Sequence, residues 1–261
     1  MATVYLFHIF SFIFGALIGS FLNVVILRLP DPEASIVLPA SHCPFCRAPI
    51  RWFDNIPILS FLLLGRRCRA CKATISWQYP LVELAMATLS LALFQRYLIS
   101  IAFAGYFLFT AALLVIIFID LRHQIIPDVI SLPGMAIGLG FALCNPDVTW
   151  RNSAIGLVAG GGILYVVALG YYLVTRKEGM GGGDIKLLAM IGAWLGWQSL
   201  PFVIFSSSLI GSLAGIGAMV KQKKGGKTII PYGPFLSMSA LLYLFFREEI
   251  LFCMRYMHWL P

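Results

Sequence analysis

LFTAALLVIIFID, residues 108–120, decides how this chain is read. Twelve residues without a charge run into a carboxylate, Asp120. A second acid, Asp184, closes GMGGGD at 179–184, just ahead of the apolar stretch KLLAMIGAWLG. An ionisable group where an apolar helix meets a polar loop at a bilayer edge is costly to keep, and its default reading is functional. Two such acids suggest an acid/base pair acting on something the membrane delivers.

The rest of the composition agrees with a membrane setting. Of 261 residues, 60% are apolar and only 11% carry charge, a balance that fits neither a soluble domain nor a disordered one. A spanning helix needs roughly 20 apolar residues. Spans are expected near 4–27, 80–95, 99–119, 129–144, 153–174, 186–198, 200–220 and 233–250, about eight transmembrane helices in an all-α integral membrane protein. The fourth and sixth are short and rich in glycine. Residues 1–27 hold no Lys or Arg, so the basic segment of a removable signal peptide is missing and the first span is expected to stay as a helix.

Taking connections alternately, one side of the membrane collects fifteen of the nineteen basic residues. They are Arg28, Arg47, Arg51, Arg66, Arg67, Arg69 and Lys72, then Arg122, then Arg176, Lys177 and Lys186, then Lys221, Lys223, Lys224 and Lys227. The other side has Arg96, Arg151, Arg247 and Arg255. The positive-inside rule makes the rich side cytoplasmic, which places both aspartates at the cytoplasmic face. The net charge of +8 then reports topology and attraction to anionic membrane lipid. No nucleic-acid partner is expected.

Residues 28–79 form the one sizeable polar segment, between spans one and two. It carries Cys43-Pro-Phe-Cys46 and Cys68-Arg-Ala-Cys71, 21 residues apart. Two C-x-x-C knuckles at this distance have the pattern of a tetrahedral zinc site, structural because four thiolates leave no open position. So short a loop has little core, and metal binding would supply its folding energy. Two disulfides or four free thiols are the other readings, and a reducing cytoplasm disfavours the first. His42 is a fifth donor the site does not need. Cys144 and Cys253 read as small buried hydrophobes.

In DLRHQIIPD, 120–128, Pro127 ends one helix and Asp128 is placed to cap the next. Asp120 gains nothing evident from that helix end. Gly181, Gly182 and Gly183 let a backbone come close to an extended peptide, with an acid immediately after. The other reading of Asp184 is an N-cap for the sixth span. Two adjacent carboxylates share one proton, so one can act as base on a water while the other donates to the scissile carbonyl. Rival arrangements are poor: G-x-S-x-G and H-E-x-x-H are absent, and the histidines at 8, 42, 123 and 258 are scattered.

These residues together resemble the type IV prepilin leader peptidases, intramembrane aspartic proteases of the G-x-G-D type that also N-methylate their product. The likeness covers nearly the whole chain: GSFLNVVILRLP at 19–30, CPFC, CRAC, IRWFDNIPILS at 50–60, YPLVE at 79–83, DLRHQIIPD, GMGGGDIKL at 179–187 and PYGPFL at 231–236. Gln78 stands where the family often has Arg, and Tyr232 where it often has Phe. The resemblance implies that Asp120 and Asp184 are the catalytic pair. It implies that substrates are prepilins or pseudopilins with short basic leaders, cut after glycine at the cytoplasmic face of the bacterial inner membrane. It also implies S-adenosylmethionine as methyl donor to the exposed N-terminal residue. The domains expected on this basis are helix one at 1–27, a methyltransferase-associated cysteine loop at 28–79 and a peptidase core at 80–261.

Asp54 and Glu83 are candidates for attracting the leader's basic residues, and equally for local pairing. No dinucleotide-type glycine fingerprint follows a strand, and Gly160-Gly161-Gly162 fits close helix packing better. The methyl donor's site is therefore inherited from the resemblance, on the first loop or its junction with the membrane. A transporter or channel, or a scaffold for pilus assembly without catalysis, are the rivals; no repeat and no midplane acid favours the first.

Overall fold

The computed structural model describes residues 2–177, 181–222 and 231–256. Gly179, Met180, Lys223, Lys224, Lys227 and His258, which entered the sequence reading, lie outside them. The described residues form ten α-helices and two short 3-10 turns, with no strand beyond isolated bridges. They divide into two compact units, Met1–Val115 and Ile116–Pro261.

In the first unit, α1 (Ala2–Arg28) lies along α3 (Gln78–Tyr97), with the five-residue α2 (Leu59–Leu63) in the polar segment between them. Their contact is a stripe of every fourth residue on α1, the spacing that keeps side chains on one helix face. Ser11 Oγ donates to the Ser90 carbonyl (3.1 Å) and Ser90 Oγ donates back to the Ser11 carbonyl (2.9 Å). At Gly15 a Cβ would lie 2.6 Å from the Ser90 Cβ, and at Gly19 one would lie 2.7 Å from the Glu83 Cα. Asn23 Nδ2 donates to the Tyr79 carbonyl at 3.1 Å. Small residues let apolar helices approach closely, and hydrogen bonds across the seam add to the packing.

The helix α4 (Ile101–His123) runs from the first unit into the second. The second unit then holds α5 (Asp128–Phe141), α6 (Trp150–Thr175), α7 (Gly182–Leu195), α8 (Leu200–Gln222), α9 (Gly233–Phe245) and α10 (Arg247–Tyr256). Its centre is α7, where every residue from Leu187 to Leu195 is buried. A helix apolar on all sides must be surrounded, and α5, α6 and α9 all pack against it. The α6 contact is closest. A Cβ on Gly156 would strike the backbone of Gly192, one on Gly160 would lie 2.5 Å from the Leu188 carbonyl oxygen, and Gly162 faces open space. The expected packing role of the glycine string is thus carried by its first member, Gly160, together with Gly156 one turn earlier. On the α5 side, Trp194 Nε1 donates to the Gly134 carbonyl at 2.8 Å.

Among the described residues, four helices are long and apolar enough to cross a membrane, Tyr5–Arg28, Ile101–His123, Trp150–Thr175 and Trp197–Gly217. Asp128–Phe141 and Gly233–Phe245 are apolar but shorter. The last expected span, 233–250, is interrupted at Phe246, where α9 ends and α10 begins. Arg247, Glu248 and Glu249 make the following turn too polar to continue an apolar helix, and the Arg247 guanidinium Nη1 lies 3.8 Å from Asp147 Oδ2. Cys144 and Cys253 are exposed, which overturns the expectation that both are buried.

The glycine contact predicts a contrast. Gly156→Ala forces α6 and α7 apart and lowers stability by about 1–3 kcal/mol, the usual cost of overpacking. Gly162→Ala has room for its methyl group and does not lower it. Thermal unfolding of the purified protein measures both.

Candidate active site and cysteine cluster

Asp120 lies on the last turn of α4, which continues three residues further and closes where Gln124 turns left-handed (φ 55°) and its N–H donates to the Asp120 carbonyl at 2.9 Å. The Asp120 side chain is only 4% exposed. Its Oδ2 accepts the backbone N–H of Gly233, the first residue of α9, at 3.0 Å. A Cβ at 233 would sit 2.6 Å from that oxygen, so this approach requires glycine. Tyr232, just before it, shares hydrogen bonds with the hydroxyls of Ser207 (2.7 Å) and Ser208 (3.1 Å) on α8.

Asp184 is the third residue of α7, so its N-cap reading does not hold; Gly181 occupies that position. The half-buried Asp184 carboxyl lies within the Coulombic field of Asp120. Ile126 sits between the segments that carry the two acids. Its Cδ1 would lie 3.1 Å from a Cβ on Gly233, and its Cβ 3.0 Å from one on Gly183. Gly182 has open space above it. The structure therefore brings together two carboxylates 64 positions apart in sequence, one nearly enclosed and one beside an unobstructed stretch of backbone. Two acids whose charges act on one another titrate as a pair, so that one can serve as base while the other serves as acid.

Asp128 behaves differently from its expected capping role. It begins α5 but makes no cap bond, and Pro127 stands at the N-cap. Both its oxygens receive Lys186 Nζ, at 2.7 and 2.8 Å. This pair joins the first turns of α5 and α7, two residues from Asp184. Gly233, Ile126 and Lys186 are the neighbours of the acids that the sequence reading assigned no role.

In the first unit, Cys43, Cys46, Cys68 and Cys71 bring their four sulfurs within 4.8 Å of one another. The two knuckles are built alike. The Cys43 N–H donates to the Ala48 carbonyl and the Arg47 N–H to the Cys43 carbonyl; Cys68, Ala73 and Lys72 repeat that pattern. Arg47 and Lys72 are left-handed at equivalent places, with φ of 55° and 59°. Sulfurs bound tetrahedrally at about 2.3 Å from zinc stand about 3.8 Å apart, and Cys43 Sγ lies 3.9 Å from Cys71 Sγ. The donor set fits a tetrathiolate metal site. Backbone amides of Cys71 and Ala70 draw the Cys68 thiol down to about 7. The Ala73 amide pulls Cys71 the same way, but desolvation and the three thiols beside it outweigh that and push it up to about 11. One thiolate forms readily and the next is resisted, an imbalance that a divalent cation would remove.

Neighbouring bonds hold the loop. Arg69 clasps Asp54 through Nε (2.8 Å) and Nη2 (2.6 Å), and its guanidinium keeps the Asp54 carboxyl below the usual range. Glu83, 6% exposed, accepts the Ile58 N–H at 2.7 Å. Both candidate leader-binding acids are thus engaged locally. His42 Nδ1 lies 3.0 Å from the Ala40 carbonyl.

Against known proteins, residues 13–97 match the Bacterial Peptidase A24 N-terminal domain and residues 107–216 match the Type IV leader peptidase family. The chain is 40% identical over 262 residues to a prepilin leader peptidase/N-methyltransferase of Aeromonas hydrophila, covering 92% of this chain and 90% of that protein. A protein of the same description from Pseudomonas aeruginosa is 39% identical over 262 residues, with coverage of 92% and 90%. One from Neisseria gonorrhoeae is 40% identical over 250 residues, with coverage of 87% and 86%. No solved structure matches.

The sulfur geometry predicts one bound divalent ion per chain, held by the knuckles. Cys43→Ser or Cys71→Ser opens the tetrahedron, and elemental analysis of purified protein should then find well under one ion per chain. Equal metal content in variant and parent would contradict a four-thiolate site.

Proposed function

The chain belongs to the type IV leader peptidase family, and from that premise we propose that it removes the short basic leader of type IV prepilins or pseudopilins and N-methylates the residue so exposed. The observation that carries the reading is the enclosure of Asp120 at the end of α4, with Asp184, in the first turn of α7, inside its field. Asp120 and Asp184 are the catalytic pair. One carboxylate takes a proton from water as its oxygen attacks the scissile carbonyl, and the other gives its proton to the carbonyl oxygen. The tetrahedral diol then returns a proton to the acid that supplied it, the C–N bond breaks, and the departing amine takes the proton held by the base. No covalent enzyme intermediate is required. The open backbone at Gly182 offers an extended substrate segment room to approach.

The protein works in the bacterial inner membrane through about eight spans, with its basic loops and both acids on the cytoplasmic side. The charge distribution supports that orientation. A prepilin is a basic leader followed by an apolar helix, so its cleavage site also lies at that edge. Residues 28–79 form a cytoplasmic loop associated with methyl transfer, and 80–261 the peptidase core. Zinc is an ion suited to a closed tetrahedral set of four thiolates, and it serves here as a structural clamp. S-adenosylmethionine, when bound, supplies an electrophilic methyl group to the new amine.

Purified protein incubated with a prepilin should yield a product lighter by the leader and heavier by one methyl group, read by mass spectrometry. Asp120→Asn and Asp184→Asn should each remove cleavage at undiminished protein abundance, a loss of at least about a hundredfold. Near-parental cleavage by either variant would end the assignment of the pair.

A further inference from the structure

The P-Y-G-P turn at 231–234 does more than start a helix. Its Gly233 N–H is the described donor to the Asp120 carboxylate, and the same glycine leaves no space for a side chain beside that oxygen. Among the described residues no amide donor reaches the Asp184 carboxyl, which meets burial and the charge of Asp120. Its place in the first turn of α7 gives it only the diffuse field of a helix end. The two acids therefore sit in unequal surroundings. An amide bond to a carboxylate oxygen favours its ionised form, and unequal surroundings separate the roles in an acid pair.

We propose that Gly233 is a positioning residue for leader cleavage, its amide holding Asp120 as the ionised base that activates water and leaving Asp184 to carry the shared proton. This rests on the aspartic-peptidase reading above. It gives the turn a task that its sequence alone does not disclose. Asp120 has one oxygen committed to the amide, so its other oxygen is the one left to face water. Ser207 and Ser208 fix the preceding tyrosine and so the turn.

The ionisable groups on the elements around Asp120 are Asp184 and Lys186 on α7, Asp128 on α5, and Arg122 and His123 on α4. Lys186 is matched by Asp128, and α9 adds only Tyr243 near its far end.

The test is Gly233→Ala in the full-length protein, assayed for cleavage of a prepilin and, separately, for methyl transfer to a pilin already cleaved. The expected result is a kcat for cleavage lower by about a hundredfold, the size of effect that displacement of a reacting group produces. KM should not change, and the acid limb of the kcat–pH profile should move to higher pH, because the bond favouring ionised Asp120 is weakened. Methyl transfer should persist. The added Cβ would also crowd Ile126, so Ile126→Val/Gly233→Ala serves as the second variant: it removes the Cδ1 in the way but leaves the conflict with Asp120. Continued loss of cleavage there supports the proposal, and recovery to the parental rate overturns it. Unchanged kcat and pH profile in Gly233→Ala also overturns it, as does joint loss of methyl transfer in both variants. Failure of the unaltered protein to cleave would instead defeat the underlying peptidase reading.

Discussion

A carboxylate with 4% of its surface open, at the end of an apolar helix, must be matched by something other than water. For Asp120 the match is the amide of Gly233. A buried polar group without a partner costs free energy comparable to a lost hydrogen bond, and a buried charge more. That requirement ties the end of α4 to the start of α9 across 113 positions of sequence. Ile126 fills the space left over and abuts Gly183, the residue before Asp184. The spacing of the two acids thus depends on a small set of contacts in which two of the three residues have no side chain to spare.

The site draws on helices of unequal length. At 1.5 Å per residue, α4 is about 35 Å long and α6 about 39 Å, whereas α7 is about 21 Å and α9 about 20 Å. Hydrocarbon thickness is about 30 Å, so α7 and α9 are each too short to cross it alone. Asp184 lies in the first turn of one such helix and Gly233 opens the other. The glycine contacts between α6 and α7 let the short helix be enclosed from Leu187 to Leu195, and the pair Asp128–Lys186 joins its N-terminal part to α5. An exposed pair of that kind contributes at most about 1 kcal/mol, so its effect is on local alignment more than on stability.

Much of this was legible in the sequence because it depends on local pattern. Apolar runs place helices close to where they occur, and the spacing of Cys43, Cys46, Cys68 and Cys71 foretold a four-sulfur cluster. The acids stood out because charge is rare in such runs. Other features depend on contacts between distant segments and leave no periodic trace. The amide at 233 has no side chain to announce it. Asp128 looked like a cap since it follows Pro127, and only the fold brings Lys186 to it. The break at Phe246 follows from the polar triplet after it, which an average over the whole span conceals. Cys144 and Cys253 were misplaced because apolar neighbours in sequence do not distinguish a buried position from an exposed one.

The central claim is that Asp120 and Asp184 act together on one water. Single-turnover cleavage of a prepilin in water enriched in oxygen-18 tests it most directly, with the leader and the enzyme's own peptides both weighed afterwards. The account predicts the heavy oxygen in the new carboxyl terminus of the leader and none in Asp120 or Asp184. Heavy oxygen in either side chain, with a light leader after the first turnover, would mean that a carboxylate attacks the substrate itself, and would contradict it.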